Sequence, residues 1–204
     1  MISASKALQL LKEGNERFAQ GLKTNHSINN QRHDPSLADG QKPFAIILGC
    51  SDSRVPAEIV FDQGLGDLFV IRVAGNIVAP SQIGSVEFAA DLFETRLVVV
   101  MGHTNCGAIY ATIDQARKPS TEQSHNLDAI VNRIKPSVLA LFDTELANDE
   151  AKLRYYATRA NIRASVNQLR HGSSVLENLI QNYGLTIVGA EYSIETGRVD
   201  FFEC

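Results

Sequence analysis

Four short apolar runs stand out along the chain: Pro43 to Gly49 (PFAIILG), Leu68 to Val73 (LFVIRV), Leu97 to Met101 (LVVVM) and Leu185 to Ala190 (LTIVGA). Each is bounded by Gly, Pro or a charged residue and is too short for a core helix, so each predicts a buried strand. Segments of helical character lie between them, notably 81–94 and 159–182. At the start, Lys6, Lys12, Glu13, Glu16 and Arg17 interrupt apolar positions at helical spacing, which predicts an amphipathic helix over the first 20 residues. Residues 21–42 are polar and read as an extended arm or loop. The alternation predicts an α/β fold with a central, mainly parallel sheet of about four strands flanked by helices. Near the end, Thr196-Gly197 signals a turn, after which Val199 to Phe202 returns as an antiparallel edge strand. No internal repeat or composition break divides the chain. One domain over 1–204 is expected, with 1–42 as its N-terminal helix and arm.

Composition narrows the function classes. The chain has 204 residues, 44% hydrophobic and 21% charged, as in soluble globular proteins. Lys plus Arg is 19 and Asp plus Glu is 23, a net charge of −4. That balance, with no basic run, gives no support to a nucleic-acid partner. No apolar stretch nears the length of a membrane span. The N-terminus lacks a basic start followed by an apolar block, so a cytoplasmic protein is expected. Cys50, Cys106 and Cys204 are the only cysteines. An odd, low count fits a reducing compartment rather than a disulfide framework.

Ligands of open α/β sheets sit beyond the carboxyl ends of the strands. Cys50-Ser51-Asp52-Ser53-Arg54 follows the first strand, and His103-Thr104-Asn105-Cys106-Gly107 follows the third. Two thiolates and an imidazole suit zinc, and three protein ligands leave the fourth tetrahedral position open, as in catalytic sites. Residue type and spacing leave other readings in place. Single cysteines are most often small core residues. A closed structural site needs a fourth ligand, for which only Cys204 remains among the cysteines, at a chain end ill suited to a rigid ligand. Asp52 and Arg54, two apart in a loop, form either a surface ion pair of little consequence or a bidentate pair beside a metal. In the second case Arg54 keeps Asp52 ionised and aimed at a metal-bound water, and release of Asp52 lets it ligate the metal instead.

These motifs resemble the two signatures of β-class carbonic anhydrases. Residues 43–76 are similar to the family's first core segment, residues 85–109 to its second, and VGAEYSIETGRVDFF to its final strand pair. Residues 21–42 and 115–158 show no such likeness. The resemblance implies a zinc enzyme, one ion per chain, that interconverts carbon dioxide and bicarbonate by attack of zinc-bound hydroxide. It implies Cys50, His103 and Cys106 as zinc ligands, Asp52 as orienter of the water or alternative ligand, and Arg54 as its partner. It also implies substrate contacts from Gln41, from Phe69 and Phe88 around an apolar pocket, and from the backbone of Gly107. For Gln41, Phe69 and Phe88, a loop polar residue and two core aromatics are the plainer reading. A homodimer or homotetramer is implied. Independently, a 20-residue amphipathic arm followed by a polar loop has little core of its own to cover, so the N-terminal helix is expected to pack on a neighbouring subunit.

Two rivals share these residues. A hydrolase of carbon disulfide or carbonyl sulfide would use the same metal chemistry. A non-catalytic zinc module would need a closed site and has no use for the Asp52–Arg54 pair. One β-class subgroup is closed by bicarbonate bound beside a tryptophan, an arginine and a tyrosine. Arg72 and Tyr192 match two of these, but the tryptophan position is Ile47 and the chain has no Trp. The non-allosteric, Gln-containing subclass is therefore expected, with Asp52 paired to Arg54. No histidine outside the motifs (His26, His33, His125, His171) is marked as a proton shuttle.

Overall fold

The structure, a computed structural model, describes residues 2–22, 35–118 and 124–202. Five strands form one sheet: β1 (Ala45–Gly49), β2 (Leu68–Arg72), β3 (Leu97–His103), β4 (Thr186–Tyr192) and β5 (Val199–Phe202). Their order is β2-β1-β3-β4-β5, parallel except for β5, which pairs antiparallel with β4. Every residue of β1 and β3 is buried, which is why both read as unbroken apolar runs. β2 lies at the open edge and is only partly buried.

Helices cover both faces: α1 (Ala4–Ala19), the single turn α2 (Ala57–Val60), α3 (Pro80–Leu92), α4 (Gly107–Arg117), α5 (His125–Phe142), α6 (Glu150–His171) and α7 (Ser174–Tyr183). One face packs Ile46, Leu48, Val98 and Val100 against α3, α6 and α7. The other packs Ile47, Val99 and Met101 against α1 and α2. A third cluster joins Cys50 and Cys106 to α4, α5 and α6. Full burial of one Leu or Ile is worth about 1.5–3 kcal/mol, so these faces dominate the fold's stability.

Two expectations need correction, and one unassigned stretch is filled. The helical stretch 159–182 is two helices, because Ser173 caps a new one by accepting from the Leu176 amide. Residues 115–158, which the sequence reading leaves unassigned, carry the end of α4, all of α5 and the start of α6. The N-terminal helix has a core of its own to cover. Ala7 and Leu11 are buried under the sheet. Asn15 donates to the carbonyls of Val60 and Gly197 and accepts from the Val199 amide. Gly14 lies so close to the Phe61 carbonyl that an added Cβ would sit 1.8 Å from its oxygen. The premise for placing this helix on a neighbour therefore fails. Of the arm, 35–39 form a 3-10 turn, while 23–34 lie outside the described residues, as does Cys204.

Candidate metal centre

Adjacent parallel pairing of β1 and β3 brings two sequence-distant segments to one edge. Gly49 is in register with Met101, so Cys50 emerges beside the end of β3. His103 is the last residue of β3 rather than the first of the following loop, and Cys106 is the N-cap of α4. All three are buried, and their donor atoms lie within 4.8 Å of one another. The two sulfurs are 4.0 Å apart. A tetrahedron with bonds of ~2.3 Å has an edge of about 3.8 Å, so this spacing suits one shared ion.

One polar atom of the cluster is left without a partner in the chain. His103 Nδ1 lies 2.8 Å from the Thr104 carbonyl, so the ring proton sits there and Nε2 carries the lone pair. That Nε2 is enclosed and without a hydrogen-bond partner. An unpartnered buried acceptor facing two thiols is expensive unless a cation fills the space between them. The Cys106 thiol donates to Cys50, which lowers the Cys50 pKa against the opposing effect of burial, and raises that of Cys106 together with burial. A thiolate is the form in which either cysteine would ligate a metal. The Gly75 amide adds a donor at 3.4 Å from Cys50 Sγ.

Asp52 sits beside this cluster, its Oδ2 3.9 Å from His103 Nε2. Arg54 grips both carboxylate oxygens, Nε to Oδ1 at 2.9 Å and Nη2 to Oδ2 at 2.8 Å, and its own amide donates to Oδ1 at 3.0 Å. This fork holds the Asp52 carboxyl well below the usual carboxylate range, so it is ionised. Arg72 ties the same loop by donating to the carbonyls of Cys50 (3.0 Å) and Asp52 (2.5 Å).

The carbonic anhydrase family pattern matches residues 45–199. "Carbonic anhydrase 2" of Mycobacterium tuberculosis is 40% identical over 193 residues, covering 94% of this chain and 89% of its own. The chain belongs to the carbonic anhydrase family. The carbonic anhydrase of Mycolicibacterium smegmatis is 36% identical over 195 residues, 95% of this chain and 91% of its own. A tetrameric β-carbonic anhydrase of Sordaria macrospora superimposes with a TM-score of 0.75 at 26% identity, covering 86% of this chain and 88% of that one. The β-carbonic anhydrase of Aspergillus fumigatus gives 0.75 at 25% identity over 97% and 89%. This carbonic anhydrase is therefore of the β class.

The remaining expected site residues divide. Gly107 opens α4 next to Cys106, exposed and with open space over its Cα. Gln41, Phe69 and Phe88 are not brought to the cluster within the chain. Gln41 precedes β1 and lines a groove of about 450 Å³ with Phe44 and Phe93 at the amino ends of the strands. Phe69 is in register with Ile46, near the start of β1, and its ring stacks with Phe88 and Phe93 at 6.1 and 6.0 Å. Ile47 is buried in the cluster beneath α1, as is Tyr192, and offers no donor there.

Sequence reading missed the supports of the cluster. Gly75 has a left-handed backbone (φ 68°), and a Cβ on it would meet Ile134 Cδ1 at 2.7 Å. Its carbonyl accepts from Asn161, and that of Asn76 from Ser165, both on α6. Glu195 binds Thr104 and Asn105, the spacer between His103 and Cys106. No periodicity links residues so far apart. Only the Val73–Asn76 stretch, inside the first core segment, carried a signal.

Proposed function

We propose that Cys50, His103 and Cys106 hold one zinc ion and that the chain catalyses reversible hydration of carbon dioxide. The observation that carries this reading is the unpartnered His103 Nε2, grouped with two sulfurs 4.0 Å apart and beside a fixed carboxylate. When bound, zinc supplies a Lewis acid that makes a water nucleophilic near neutral pH, an effect for which carbonic anhydrases are themselves the standard example. Asp52, ionised and clamped by Arg54, would accept a hydrogen bond from a water held there and orient it toward the substrate. The Gly107 amide, in the first turn of α4, would donate to an oxygen of the product. His125 and His171 are exposed, so the departing proton passes to solvent without a dedicated histidine among the described residues.

The apolar pocket is completed by a second copy. Phe88 is 52% exposed and Leu92 61%, and with Phe69 and Phe93 they form an apolar patch beside the unpaired edge of β2. A contiguous patch of this kind marks an interface. Gln41 lies next to it and would reach the partner's centre. A homo-oligomer in the cytoplasm, where free thiols persist, fits these features. No helix among the described residues is long and apolar enough to cross a membrane.

The curated relatives are carbonic anhydrases, so a preference for carbon disulfide or carbonyl sulfide is not favoured. A stopped-flow hydration assay with and without a zinc chelator tests the reading. Turnover that tracks one zinc per chain is expected; turnover unaffected by complete metal removal would refute it.

A further inference from the structure

The two ligands on one segment are fixed by different elements. His103 is held by the register of β3, and Cys106 by the start of α4. Thr104 and Asn105 alone set the relation between them, and Asn105 takes a left-handed backbone (φ 59°). A spacer this short transmits any slack straight to the ligand geometry.

Glu195, in the turn between β4 and β5, grips both spacer residues. Its Oε2 accepts from the Thr104 hydroxyl at 2.7 Å and its Oε1 from Asn105 Nδ2 at 2.6 Å. The other polar atoms of the spacer side chains are also engaged. The Ile194 amide donates to Thr104 Oγ1 at 3.1 Å, and the Tyr110 hydroxyl donates to Asn105 Oδ1 at 2.6 Å. A residue serving only its own turn would bond within it. Glu195 makes one such side-chain bond, the longer one from Ser193 at 3.1 Å, while its two short ones cross to the loop after β3. The connection continues: the Asn105 carbonyl accepts from Arg54 Nη2 at 3.4 Å, and Arg54 holds Asp52.

We propose that Glu195 is a positioning residue of the metal centre: its carboxylate locks the Thr104–Asn105 spacer, fixing His103 against Cys106 and seating Arg54 against Asp52. This rests on the reading of Cys50, His103 and Cys106 as metal ligands. Glu195 touches neither metal nor substrate and acts through the loop. A carboxylate is suited to the task because it accepts from both residues at once with short, charge-assisted bonds.

The test uses Glu195→Ala and Glu195→Gln in the full chain. Zinc affinity is measured by chelator competition, the visible spectrum with Co(II) in place of zinc, and thermal unfolding of the metal-free protein. Glu195→Ala should weaken zinc binding by about ten- to a hundredfold, the usual cost of losing an outer support. It should shift the Co(II) bands and lower kcat more than it changes KM, with metal-free unfolding near the parent's. Glu195→Gln keeps an oxygen for Asn105 and should recover part of the affinity. Parent-like zinc affinity and Co(II) bands in Glu195→Ala would overturn the proposal. Should that variant unfold without metal, Thr104→Val removes the hydroxyl that Glu195 holds, along with its bond from the Ile194 amide. It should weaken zinc in the parent and add little in Glu195→Gln, and full additivity would overturn the proposal. A parent chain that binds no zinc would refute the metal centre and the positioning role with it.

Discussion

The two ends of the sheet carry different parts of the proposed active site. At the carboxyl ends, Cys50, Asp52, Arg54, His103 and Cys106 converge within a single chain, with every bond of the Asp52–Arg54 fork made. At the amino ends, Gln41 lines a groove with Leu92 and Phe93, and Phe88, stacked with Phe69 and Phe93, leaves its apolar surface uncovered. The five residues of β1 span about 16 Å, so neither set reaches the other in one copy. Metal chemistry needs rigid, buried donors and is satisfied by the chain's own core. Carbon dioxide needs only an apolar wall, and such a wall can come from another copy because its surface is what drives association.

The sharpest break of this contrast is at the carboxyl end. His103→Ala leaves two protein ligands and should lose the metal, with activity down more than about a hundredfold, beyond the cost of an outer support. Full zinc content in that variant, by elemental analysis, would sink the ligand assignment. The next largest effect belongs to the amino end. Phe88→Arg puts an unpaired charge in the proposed interface and should cost association about 3–5 kcal/mol. Light scattering should find monomers that keep one zinc but turn over slowly. Monomers with undiminished rate would show that the pocket needs no second copy. Asp52→Ala should retain zinc and lose about a hundredfold in rate, in the range of a positioned proton acceptor. A parent-like rate would remove Asp52 from the mechanism.

The smallest effect concerns Glu191, also at the carboxyl ends but outside the cluster. Burial raises its pKa and outweighs the pairing with Arg159 at 3.1 Å, and its Oε1 has no partner. The folded carboxyl therefore binds a proton more tightly than the unfolded one. Its contribution to stability is greatest below the unfolded pKa near 4.5 and declines as pH rises through the higher folded value. Glu191→Gln should flatten that decline and leave the protein slightly more stable at neutral pH. A parent whose advantage over the variant grows with pH, in thermal unfolding, would contradict this.

Strands were legible because burial on both faces makes a parallel strand apolar throughout. The runs at 43–49, 68–73, 97–101 and 185–190 fall within a few residues of β1 to β4. Cys50, His103 and Cys106 were legible because strand ends are where such sheets place ligands. α5 and the first part of α6 were not read, since their buried faces contact a cluster assembled by tertiary packing. Gly75, Asn161 and Glu195 escaped for a related reason. Each acts through a hydrogen bond to a residue 25 to 90 positions away, and no local spacing encodes that. Gln41, Phe69 and Phe88 were singled out by likeness, and the three-dimensional register sets them apart from their own chain's cluster.

The central place of β3 has a consequence for how the protein is made. All three donors lie in the first 106 positions, but the β4 side of β3 stays open until Tyr192 has been added. Ribosomes add about 5–20 residues per second, so roughly 4 to 17 s separate Cys106 from the strand that closes over its segment. Thiol labelling of stalled nascent chains would read that interval directly. Through it, Cys50 and Cys106 stand on an unfinished sheet as ordinary thiols, open to oxidants and to whichever soft metal arrives first.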